Sequence, residues 1–254
     1  MAISSFIQTA IHKDLEGLRD YLARAWATGE IEVRLSELQL TGEGEVVTPD
    51  GVYGATAGFV GSLVRSHCRG EVEGYHFRSD QGVKKFFDDG GHRVLNRQLR
   101  QRDALVKVRT FGRTMAAVLS PSYRSITNLE IVKELMNMAD LDLGWVAVSQ
   151  HYFDLAVVMP DVLAVPKEGD PIRCGVFTCS SETGHSRLWV SPFLFRNLCA
   201  NGTILSDFAN PLAGVVLDQR HAGRGGESLV ADFRAAAEEA LGLAPQAASL
   251  VETW

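Results

Sequence analysis

The chain has 254 residues, 46% of them hydrophobic, and a formal net charge of −6. That length allows one large domain or two small ones, and no apolar run nears the ~20 residues of a membrane-spanning helix. Acidic residues enter MAISSFIQTAIHKDLEGL too early for a secretory signal, and the four cysteines (Cys68, Cys174, Cys179, Cys199) suit a reducing compartment, so a cytoplasmic protein is expected.

In chain order, Ile7, Ile11, Leu15, Leu18, Leu22 and Trp26 recur at three- and four-residue steps and predict a helix over Ser4–Thr28, closed by Gly29. Ile31–Leu35 alternates like a half-buried strand, extended by Leu38 and Leu40. Gly42, Gly44, Pro49, Asp50 and Gly51 mark turns. Small and apolar residues from Tyr53 to Val64 predict a helix, followed by helices over Asp80–Phe87 and His92–Arg102. In the last of these, Val94, Leu95 and Leu99 form an apolar seam, with arginines elsewhere. Ala104–Phe111 and Thr114–Leu119 read as a hairpin turned at Gly112-Arg113.

Thr127-Asn128 offers a cap for a helix over Leu129–Ala139. Gly144–Gln150 and Tyr152–Met159 read as adjacent strands, as do Ile172–Cys179 and His185–Val190 around the polar turn Ser180–Gly184. Pro192–Leu198 predicts a short helix with proline near its start. Arg220–Gly226 is a loop, and Ser228–Leu241 an Ala-rich helix ending at Gly242. Blocks of helices and hairpins indicate an α+β fold: antiparallel or mixed sheet with several packed helices and a helical N-terminal part. The expected divisions are a mainly helical 1–103 and a strand-rich 104–254, or the two as one continuous domain.

Charge is uneven. Between Arg65 and Arg124 thirteen Lys/Arg stand against six Asp/Glu, an asymmetry that points to a polyanion partner. Arg93, Arg97, Arg100, Lys107, Arg109 and Arg113 are the candidate phosphate contacts, with Phe111 and Tyr123 as stacking surfaces, the combination single-strand binding requires. Other chemistries fit less well. Cys174, Cys179, His185 and Cys199 are zinc-ligand types, but C-x4-C is wide and alternation sends the first two cysteines to opposite faces, so no metal is expected. Cys199 could act as a nucleophile with His185 or His151 as base, and Ser181, Glu182, His185 and Ser186 could serve a hydrolase, yet no G-x-S-x-G is present. No phosphate loop occurs, and no cofactor is expected.

The densest polar stretch is Arg173–Gly202. A Glu182 carboxylate and an Arg196 guanidinium could pair across the hairpin and latch the turn in place. Three segments resemble the phage- and plasmid-borne family called domain of unknown function 932. They are Arg113 with Leu119–Asn128; Ser180–Val190, running on through Arg196, Cys199, Asn201 and Gly202; and Arg220–Gly223. Ser181, Glu182, Gly184, Arg196, Cys199, Asn201 and Gly202 carry the middle signature. Ser180 departs from it, since the family pattern commonly has Asn there. The resemblance implies a phage or mobile-element protein of replication or recombination, with DNA as partner. The order of helices and hairpins is also similar to single-strand annealing proteins, which implies a homo-oligomer. The expected function is single-stranded DNA binding without catalysis. The alternatives are an enzyme using Glu182, His185, Arg196 and Cys199 on a small or nucleotide substrate, and a host-directed interaction module.

Overall fold

The computed structural model describes residues 7–8, 14–67, 75, 77, 80–165, 172–196, 203–205, 216–221 and 228–243. The fold is α+β, as the alternation of blocks requires. The chain forms two compact units, the first made of Met1–Ile7 and Trp26–Tyr123, the second of Gln8–Ala25 and Arg124–Trp254.

The first described elements are β1 (Ile7–Gln8) and α1 (Leu15–Ala25), with α1 in the second unit. The expected helix over Ser4–Thr28 is thus shorter at both ends. Asp14 starts it by accepting the Gly17 N–H at 2.7 Å, satisfying one of the orphan donors of the first turn. At the other end Thr28 and Gly29 already belong to a strand.

The first unit is built on a six-stranded sheet. Its strands are β2 (Thr28–Arg34), β3 (Gln39–Leu40), β4 (Glu45–Thr48), β5 (Gly51–Ala55), β6 (Leu105–Phe111) and β7 (Thr114–Leu119), in the order β2-β6-β7-β5-β4-β3. All neighbours are antiparallel except β5 and β7. Helices α2 (Ala57–His67), α3 (Asp80–Asp88) and α4 (Gly91–Leu99) complete it. Their Phe59, Leu63, Phe86, Leu95 and Leu99 share one core with Leu35, Leu40, Val46, Val108 and Met115. The expected hairpin is present. Gly112 has φ 56° and Arg113 stays at negative φ, which is the glycine-first pattern of a type II′ turn.

The helix expected from Tyr53 starts only at Ala57. Thr56 caps it, its hydroxyl accepting the Phe59 N–H at 3.1 Å, while Tyr53 and Gly54 pair with β4. The boundary expected near Ala104 also moves. β2 pairs with β6 along seven residues, which puts Leu105–Phe111 in the first unit, and the division falls after Tyr123. The N-terminal part therefore carries a full sheet beside its helices.

The second unit holds α5 (Asn128–Met138) and α6 (Leu229–Leu243) with an antiparallel sheet of β8 (Asp142–Ser149), β9 (Phe153–Ala164), β10 (Ile172–Ser180) and β11 (Leu188–Arg196). β12 (Thr203–Leu205) and β13 (Leu217–Gln219) both pair with β11. The expected helix over Pro192–Leu198 is strand up to Arg196, because β11 runs in unbroken register with β10 from Trp189 to Arg196. One sheet face carries Val146, Val148, Leu155, Val157, Val176, Val190 and Leu194, all buried, and α6 packs on β10 and β11. Gly175 has a steric reason: a Cβ there would collide with the carbonyl oxygen of Val157 on β9. Among the described residues no helix is long and apolar enough to cross a membrane.

Candidate functional site

α4 displays an arginine face, and its sequence explains why. Leu95 and Leu99, four residues apart, are fully buried in the first unit's core, with Val94 packed against it. Asn96 fixes the rotation: its amide oxygen accepts the Leu40 N–H at 2.8 Å and its amide nitrogen donates to the Leu40 carbonyl at 2.7 Å, as a neighbouring strand would. With that side committed to the core, the helical period turns Arg93, Arg97 and Arg100 outward, and all three are exposed. Arg102 follows, also exposed. It lies near His67, whose pKa is lowered by burial first and by the Arg102 charge second.

The strand cations expected beside them are differently placed. Arg109 is only 3% exposed and pairs with Glu30 at 3.2 Å; Lys107 reaches the other Glu30 oxygen at 3.0 Å. Arg109 stands directly opposite Glu30 in the β2–β6 register, so both cations are answered by one carboxylate on the adjacent strand. Arg113 is exposed, with a long contact of 3.4 Å to the Val52 carbonyl. Phe111 packs on Trp26 with ring centroids 4.8 Å apart, and Tyr123 is buried with Ala117 and Leu119. The Tyr123 ring is therefore not presented for stacking, while Phe111 is half-buried. The excess of positive charge read along the sequence also shrinks in space, because the first unit contains thirteen Lys/Arg and twelve Asp/Glu.

In the second unit the signature segments, distant in sequence, meet. The Glu182 carboxylate, 4% exposed, accepts the Asn128 N–H at 2.6 Å. Asn128 opens α5 after a capping box in which Thr127 accepts the Glu130 N–H and Glu130 accepts the Thr127 N–H. Glu182 thus supplies a negative charge to a helix N-terminus and satisfies a donor the helix leaves open. Arg124 donates its N–H to the His221 carbonyl at 2.6 Å, His221 Nδ1 donates to the Arg124 carbonyl at 3.1 Å, and the Arg124 guanidinium pairs with Asp232 at 2.9 Å. The turn after β10 closes with the Gly184 N–H on the Ser181 carbonyl, and Gly184 takes φ 75°, which suits glycine. Thr178, Ser180, Ser181, Thr183, Gln150 and Ser191 are buried as well. Asn128 Oδ1, Gln150 Oε1, Thr178 Oγ1 and Ser180 Oγ have no hydrogen-bond partner among the described residues.

The expected partner of Glu182 is Arg196. The described partner is the α5 backbone; the Arg196 side chain and residues Cys199, Asn201 and Gly202 lie outside the described residues. His185 sits near the turn, its Nδ1 3.0 Å from Thr183 Oγ1. Cys179 is a poor nucleophile: burial, then its hydrogen bond to and the charge of Asp154, push its thiol up to about 12. Burial pushes the Cys174 thiol up too. No set of three metal-binding side chains occurs among the described residues. Sequence reading misses the grouping of His151, Tyr152 and His185, because those residues belong to two separate hairpins. The local signal is the run Ser149-Gln150-His151-Tyr152 between two apolar strands.

No family model matches the chain, and no match was found among curated proteins or solved structures.

Proposed function

We propose that the chain binds nucleic acid through the arginine face of α4, contacting backbone phosphates with Arg93, Arg97 and Arg100 and with Arg102 beyond the helix end. The carrying observation is that one helix face, rotationally fixed by Leu95, Asn96 and Leu99, exposes three arginines, and no acidic residue occurs from Gly90 to Arg102. Guanidinium groups on a rigid support bind phosphate with directional, charge-assisted hydrogen bonds. Lys107 and Arg109 serve their ion pairs with Glu30 instead. The likeness of the signature segments to a phage-borne family supports single-stranded DNA in replication or recombination of a mobile element as the natural setting.

The test is titration of fluorescent single- and double-stranded oligonucleotides at several salt concentrations. Affinity is expected to fall as salt rises. Reversing Arg93, Arg97 and Arg100 to Glu should lower the log–log salt slope by about 2 for a single strand, at roughly 0.7 for each phosphate no longer neutralised. Absence of binding at low salt, or a triple variant with the wild-type slope, overturns the reading.

A further inference from the structure

We infer that the turn between β8 and β9, together with His185, forms a stacking site for an unpaired nucleobase. The inference deepens the nucleic-acid reading and rests on it. Three rings stand in series: Tyr152 and His151 have centroids 6.2 Å apart, and His151 and His185 have centroids 4.2 Å apart. Tyr152 is 53% exposed, one of four exposed large hydrophobic side chains among the described residues and the only aromatic one of the four. His185 is exposed and His151 half-buried, so the series opens to solvent at both Tyr152 and His185.

The rings are held in place. Ser149 Oγ accepts the N–H groups of both His151 and Tyr152, at 3.1 and 2.9 Å, and donates to the Tyr152 carbonyl at 3.2 Å. The Ser149 N–H also donates to that carbonyl, at 2.9 Å. One serine therefore pins the backbone under both rings, as a hydroxyl-closed turn does. Gln150 Nε2 lies 2.9 Å from His151 Nε2. On the other hairpin, the Thr183 hydroxyl donates its proton to the Gln150 carbonyl at 2.8 Å, which leaves it only lone pairs to offer His185 Nδ1 at 3.0 Å. His185 Nδ1 is therefore the donor, and its tautomer and ring plane are fixed. The His185 N–H adds a bond to Ser181 Oγ at 2.9 Å. Thr183 thus ties the two hairpins together beneath the rings.

A pre-positioned aromatic surface with one exposed ring suits a flat, apolar-faced, polar-edged ligand. An unpaired base fits that description, and its stacking tolerates any sequence because every base has a π face. Of the expected aromatic platform, Tyr123 is buried and Phe111 is half-buried against Trp26, whereas Tyr152 offers the open ring that single-strand binding uses.

The experiment compares a labelled oligothymidylate with an oligonucleotide of equal length and charge whose sugars carry no bases. Wild type should bind the thymidylate more tightly. Tyr152→Ala should weaken thymidylate binding about tenfold and leave the abasic probe unchanged, while Tyr152→Trp retains the preference. Equal losses on both probes, or no loss on either, overturn the stacking site. If wild type binds neither probe, the nucleic-acid reading falls and this inference with it. If binding responds to reversal of the α4 arginines but not to Tyr152→Ala, only the stacking site falls.

Discussion

Replacing Glu182 separates a buried cap from a reactive carboxylate. Its carboxylate accepts the Asn128 N–H at 2.6 Å, and both residues are almost fully buried, at 4% and 2% exposure. A hydrogen bond to a charged group contributes about 1.5–3 kcal/mol, and a carboxylate at a helix N-terminus in such a setting adds to the same interaction rather than to a separate one. Glu182→Gln keeps an acceptor but loses the charge, so a loss of about 1 kcal/mol is expected. Glu182→Ala strands the Asn128 N–H in the interior and should cost about 3 kcal/mol. The assay is urea unfolding followed by circular dichroism and tryptophan fluorescence, with Trp145 and Trp189 reporting on the second unit. The graded order wild type, Gln, Ala is the signature of a cap. An Ala variant within about 0.5 kcal/mol of wild type, the range of an unconstrained surface change, would refute the reasoning.

Two further outcomes follow from the same unit. The Cys179 thiol, held at about 12 against an ordinary 9.0, should alkylate at pH 8 about a thousandfold more slowly in the native protein than in urea, as read by peptide-resolved mass spectrometry. Because its native pKa is raised, Cys179 also makes stability fall as pH rises from 9 towards 12, and flat stability across that window would contradict the assignment. Gly175→Ala places a methyl group against the Val157 carbonyl oxygen, so β9 and β10 must separate there; a loss of at least about 2 kcal/mol in urea unfolding is expected, and a neutral substitution would refute the close approach.

Features decided within a few residues are legible in the sequence. The Gly112-Arg113 turn and the Thr127 cap of α5 depend on local backbone and nearest side chains, and both can be read from their residues. The start of α2 is not legible in this way, because Tyr53–Ala55 carries no period of its own; pairing with β4 and a cap at Thr56 decide where the strand ends. Pro192 suggests a helix start, yet it occupies a strand position opposite Val176, held by the pairing of residues on either side. The candidate site divides in the same way. Exposure of Arg93, Arg97 and Arg100 follows from the helical period, whereas the packing of Phe111 on Trp26 joins residues 85 apart in sequence.

The difference between α4 and β6 shows what a charge count along a chain can and cannot convey. A helix sets its own exposed face, so once Leu95 and Leu99 are buried Arg93, Arg97 and Arg100 must point away, whatever lies elsewhere in the sequence. A strand does not: its charges are read against whichever strand lies beside it, and the β2–β6 register sets Glu30 opposite Arg109 and within reach of Lys107. Burial of Arg109 to 3% exposure makes that carboxylate a structural requirement, since an unanswered guanidinium in such a position would be costly. Cations on this helix face thus stay at the surface, while the cations of the paired strand are held against the carboxylate of its neighbour. That is why the nucleic-acid reading rests on Arg93, Arg97 and Arg100, with Lys107 and Arg109 left to hold β2 and β6 together.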